Sequence, residues 1–194
     1  PDIRYSVSDQ QADMGEFATK ATVREAVGQI VQGGSLFNGL GSVVVATAAE
    51  FEQDWVPVIG AASLSGTANA GPAQGLYDPK SKTTFLIADH IRRGEELGVV
   101  AHELMHKHGR AVLGEYGWTK LHGAIAGWAR ADEGSIERQV YDAAAARVHA
   151  SRPAEVDEQS YSSEELFPYA VQVAHDLGVR PDLQAKQGTV ARWM

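Results

Sequence analysis

His102-Glu103-Leu104-Met105-His106 lies near the middle of this 194-residue chain, and the reading of that stretch decides the rest. In an α-helix, residues four apart stand one turn above each other on the same face. Two imidazoles can therefore address one ion while the carboxylate between them lies beside it. A metal needs neutral imidazoles and an open position for water, and an adjacent carboxylate can take that water's proton as it attacks a carbonyl. With 7 His among 194 residues, an HExxH string arises by chance roughly 0.02 times in a chain of this composition. A surface helix that merely happens to carry these residues is therefore the weaker reading.

The flanking residues supply the helix and what precedes it. From Gly94 to Gly114, Leu97, Val100, Ala101, Leu104, Met105 and Val112 share one broad face. Upstream, Gly75-Leu76-Tyr77-Asp78 and Thr83-Thr84-Phe85-Leu86-Ile87 read as two strands of a hairpin, with Pro79 and Ser81 in its turn. Further out, Phe17, Val23, Ala26, Val27, Ile30 and Val31 give a first helix that Gly33-Gly34 stops. Ser42 to Thr47 is a β-branched run that suits a buried strand, and Ala48 to Trp55 continues as a short helix before Pro57. Residues 60 to 75 read as a loop or a glycine-interrupted strand. Downstream, Leu121 to Trp128 and Ile136 to Ala150 are helical, with a break at Arg152-Pro153. A last helix runs from Ser162 to Leu177, closed by Gly178, burying Leu166, Phe167, Ala170, Val171, Ala174 and Leu177.

Composition narrows the classes. The length suits one domain with a hydrophobic core, and 44% hydrophobic with 22% charged residues is ordinary for a globular protein. A formal charge of -8, with Arg92-Arg93 as the longest basic cluster, argues against a nucleic-acid partner. No apolar run approaches about 18 residues, so no membrane partner is expected. Without cysteine there are no disulfides, and a metal must be held by His, Asp and Glu. The polar start Pro1-Asp2-Ile3-Arg4 reads as a cut in a linker. Residues 1–15 are accordingly expected to be a linker remnant of a larger polypeptide, and 16–194 a single domain.

The metzincin pattern HExxHxxGxxH is met through Gly109, but Val112 stands where its third histidine belongs, which disfavours that class. Gly75-Leu76-Tyr77-Asp78, Phe85-Leu86-Ile87-Ala88-Asp89, Val100-Ala101-His102-Glu103-Leu104-Met105-His106-Lys107-His108-Gly109 and Glu164-Glu165-Leu166-Phe167-Pro168-Tyr169-Ala170 together resemble the zincin-like peptidase domains embedded in large multidomain proteins of bacteriophages and conjugative elements. The resemblance implies an α+β fold: a small mixed sheet with an edge strand, the HExxH helix below it and a helical C-terminal half. It implies a gluzincin-type centre in which Zn2+ is held by His102, His106 and a glutamate of the last helix. Glu165 is the expected glutamate, and Glu164 is the alternative if Pro168 turns the helix. It implies Glu103 as general base and a peptide or protein as substrate. Such domains process their own polyprotein, travel with a virion or are delivered into a bacterial cell.

Other readings stand beside these. Glu165 could serve a capping box with Ser162. His108 points about half a turn away from His106, and His122, His149 and His175 read as solvated or hydrogen-bonded imidazoles. Tyr169 can serve a ligand or the core. The strand Thr83 to Ala88 is either an edge that receives extended substrate or an ordinary core strand. A zincin scaffold without turnover, kept as a binding module, and a peptidoglycan cross-bridge hydrolase are the rival functions.

Overall fold

The computed structural model describes residues 4–7, 16–33, 42–59, 72–152 and 156–179. Its elements run β1 (Arg4–Val7), α1 (Lys20–Gly33), β2 (Ser42–Ala46), α2 (Ala48–Asp54), α3 (Val56–Ile59), β3 (Ala73–Asp78), β4 (Thr83–Ile87), α4 (Glu96–Gly127), α5 (Ile136–Ser151) and α6 (Glu158–Asp176). The protein is α+β, with one small mixed sheet in the order β1-β3-β4-β2 and a helical C-terminal half.

The β3–β4 hairpin is closed by Asp78. Its carboxylate accepts from the Lys80 and Ser81 backbone N–H groups, each at 3.1 Å, and from the Ser81 hydroxyl at 2.6 Å. This is the aspartate turn chemistry that competes with strand extension. The five-residue β2 returns parallel to β4, with Val44 opposite Phe85 and Ala46 opposite Ile87. Thr47 then caps α2 through a reciprocal pair with Glu50, so strand gives way to helix at one residue.

Of the two readings of Thr83 to Ala88, the ordinary core strand holds. Thr83 to Ala88 is not an edge, because β4 pairs with β2 on one side and β3 on the other and all its residues are buried. A strand hydrogen-bonded on both sides has no backbone groups left for an added chain. Within the stretch read as a linker remnant, Arg4–Val7 form β1, antiparallel to β3. Residues 60 to 71, the larger part of the expected loop, lie outside the described residues.

Helix α4 is central. Val99, Val100 and Leu104 pack with Val23, Ala26, Leu86 and Ile91 against α1 and the sheet. After Gly114, whose φ of 66° and ψ of 166° break the helix, Trp118, Leu121 and Ile125 join a second core with α5 and α6. The expected end at Gly114 and the restart downstream are both met by this break. Phe17, expected on the buried face of α1, is 52% exposed, and Leu177, expected in the last buried stripe, is 48% exposed. Each lies just outside its helix, where the helical period no longer sets the side-chain direction. No helix among the described residues is long and apolar enough to cross a membrane.

Candidate metal centre

The HExxH segment occupies α4 where that helix is covered on two sides. Its sheet-facing residues hold Glu103 against β3. A Cβ built on Gly75 would lie 2.7 Å from Glu103 Cγ and Oε1, closer than real Cβ contacts come, so the strand passes this side chain only because residue 75 is glycine. The other side faces α6, which carries Glu165 inward.

Helix α6 starts four residues earlier than its apolar stripe suggests. Asp157 is the N-cap and accepts from the Ser160 N–H at 2.9 Å. Ser162 is therefore inside the helix and caps nothing, which removes the capping-box role considered for Glu165. Pro168 sits within α6 and has no N–H for the Glu164 carbonyl, yet Glu165 still faces the histidines. Glu164 points away and pairs with Arg110 at 2.7 Å near the surface.

Three atoms converge. His106 Nε2 lies 3.0 Å from Glu165 Oε2, His102 Nε2 lies 3.6 Å from the same oxygen, and the two imidazole nitrogens are 3.0 Å apart. Around a tetrahedral ion with ligands at about 2.0–2.1 Å, neighbouring ligand atoms are about 3.3 Å apart. The observed triangle brackets that spacing, so the residues present fit zinc. Burial is nearly complete: His102 is 0%, Glu103 1% and Glu165 1% exposed, and the His106 side chain 2%. Three lone-pair donors aimed at one buried point suit a cation better than they suit shared protons.

Protonation agrees with that use. Burial is the main cause that pushes the His102 imidazolium down from 6.5 to about 4; His106 and Arg147 act the same way and Glu165 opposes them. Burial alone would raise the Glu165 carboxyl. The His106 and His102 imidazoles outweigh it and hold the carboxyl down, to about 2. At neutral pH the pair is thus neutral imidazole and carboxylate, the forms that bind a metal.

Tyr169, one turn beyond Glu165, is fully buried and meets the His102 ring edge-on at 4.4 Å and 62°. His102 Nδ1 has no hydrogen-bond partner among the described residues. Ring packing therefore orients His102 where many metal-binding histidines use an N–H bond to a carboxylate or carbonyl. From the sequence Tyr169 suits either a ligand or the core, and no pattern marks Gly75; the signal for Tyr169 is its four-residue offset from Glu165 on one helix face.

Of the five other histidines, His90 has its Nδ1 2.8 Å from the Ala73 carbonyl. His122 Nε2 is 3.2 Å from the Ser162 carbonyl, His175 is exposed and 3.9 Å from Asp176, and His149 is exposed on α5. The His108 side chain lies outside the described residues. Among the described residues, His102, His106 and Glu165 are the one group of three that can hold an ion. Compared with known protein families, curated proteins and solved structures, the chain matches none.

Proposed function

We propose that this chain is a zincin-type zinc metallopeptidase with a gluzincin ligand set, His102, His106 and Glu165, acting on a peptide or protein substrate. The carrying observation is the convergence of one ligand atom from each of these residues, all within 4.8 Å of one another. The HExxH order then supplies a carboxylate, Glu103, beside the ligands. Zinc in this site would supply Lewis acidity, polarising a carbonyl and making water a nucleophile near neutral pH. Glu103 accepts the proton of the attacking water and returns it to the leaving amine. Tyr169 keeps the His102 ring from turning, and Gly75 leaves room for the Glu103 side chain. The resemblance to domains of phage and conjugative-element proteins supports a place within a larger polypeptide, virion-associated or delivered into a bacterial cell.

One observation favours a second reading. Glu103, His102 and Glu165 are closed off from solvent, as is the His106 side chain, as in a zincin scaffold that binds metal and turns nothing over. Metal analysis of the purified protein, paired with a peptide-hydrolysis assay, separates the two. Wild type is expected to carry stoichiometric zinc and His102→Ala to lose it. Glu103→Gln is expected to keep zinc and melting temperature while hydrolysis falls by about 10²–10⁴-fold, since it removes a base and no ligand. Proteolysis retained in Glu103→Gln sinks the mechanism. Zinc without hydrolysis in wild type moves the assignment to the binding module, unless purified sacculi are degraded, which moves the substrate to a peptidoglycan cross-bridge.

A further inference from the structure

Glu103 is buried against β3, and the free edge of that strand is itself occupied. Strand β3 has two edges. One is hydrogen-bonded to β4, and the other to β1. In that second pairing Ser6 stands opposite Gly75, the residue that the Glu103 side chain packs against. Besides β3, β1 touches both α4 and α5, so this edge of the sheet lies where it meets the helical half. We propose that residues 4–7 are an intramolecular occupant of the edge by which a peptide reaches Glu103, and that they must leave β3 before an extended substrate can dock there.

The reason is competition for the same backbone groups. An extended peptide binds a sheet by taking up the unpaired N–H and C=O groups of an edge strand. Those groups on β3 are taken by Arg4–Val7, paired with Tyr77, Leu76, Gly75 and Ala73. Displacement is feasible because the pairing is short and flawed. It has four residues, and its register slips between Ser6 and Val7, skipping Gln74 beside Gly75. Short, bulged edge strands open at far lower cost than the core of a domain. Residues 4–7 thus convert a closed, metal-holding centre into one that opens by strand exchange. This rests on the metallopeptidase reading above.

The test measures zinc release to a chromogenic chelator in excess, which does not require turnover. Neighbouring residues of a strand point their N–H groups to opposite sides. One of Tyr5→Pro and Ser6→Pro therefore deletes a bond to β3, and either disturbs the pairing. The faster of the two is expected to release zinc about tenfold faster than wild type, with hydrolysis of an unstructured peptide rising alongside. The reciprocal variant is Arg4→Cys with Tyr77→Cys, a register pair in a chain that has no other cysteine. Oxidised, it is expected to release zinc and cleave peptide more slowly than wild type, and reduction by a phosphine restores both. If a proline variant does not fold, the cysteine pair decides. Equal release rates in wild type, folded proline variants and oxidised pair overturn this inference and leave the metal site standing. Absence of zinc from wild type overturns both.

Discussion

Glu164 and Glu165 are adjacent in sequence, and the helix separates them by about 100° of arc. One meets Arg110 near the surface, the other two buried imidazoles. Removing each has a distinct expected result. Glu165→Ala should weaken zinc binding by more than about 100-fold, beyond the loss of an outer hydrogen bond to a ligand. Glu164→Ala should keep zinc and change stability by less than about 1 kcal/mol, as exposed ion pairs do. Competition titration with a zinc chelator reads both, and metal loss from Glu164→Ala alone would reverse the assignment. The same residues set a pH dependence in the metal-free protein. His102 is lowered from 6.5 to about 4 in the fold, so the unfolded chain takes up this proton first, and stability falls as pH drops between those values. Glu165, lowered from 4.5 to about 2, continues the loss below that range. The melting temperature of the apoprotein should therefore fall with acidification, and His102→Gln should flatten the upper part of the curve. Identical curves for the two proteins would contradict the assignment.

Elements place these residues through contacts that no local pattern announces. Gly109 matches the glycine of the longer HExxHxxG pattern, but here it makes room for a ring: a Cβ at this position would lie 2.3 Å from a Trp118 ring carbon. Trp118 reaches that position because Gly114 breaks α4 with a positive φ that other residues rarely adopt. Its ring also meets Phe167 of α6 at 5.2 Å, which ties the two helices that carry the proposed ligands. Gly109→Ala is expected to destabilise the protein by about 1–3 kcal/mol through overpacking, read as a lower denaturant midpoint, and to weaken zinc binding with it. An unchanged midpoint would mean that the ring gives way freely. The start of α6 was not legible for a related reason. Its first turn, Glu158, Gln159, Ser160 and Tyr161, has no apolar stripe to bury, and the cap Asp157 lies five residues before the serine that the pattern suggested.

Across the whole molecule, α4 lies between α1 and the sheet on one side and α6 on the other. The proposed metal joins α4 to α6 near the point where these layers meet. An ion bound only by the folded state stabilises it by mass action, about 4 kcal/mol when free zinc is 1,000 times its dissociation constant. Chelator treatment should therefore lower the melting temperature of wild type by calorimetry and leave His106→Ala, already without a ligand, nearly unchanged. If both melt identically with and without chelator, the triad holds no metal.

Some of this was determined by the sequence alone. The HExxH spacing puts two imidazoles on one helix face wherever that helix lies, since the helical period is local geometry. The hairpin, the stop at Gly114, the closure of α6 by Gly178 and the absence of cysteine ligands are likewise local or compositional facts. Which glutamate faces the histidines was decided by the rotation of α6 against α4, a matter of packing around Trp118, Phe167 and Tyr169 that has no sequence period of its own. The edge strand was decided the same way. Alternation and β-branching identify a strand, but its neighbours are chosen by pairing between residues far apart in the chain. That is why β4 is interior, and why Arg4–Val7, which no pattern marked as a strand, lie along β3 beside Glu103.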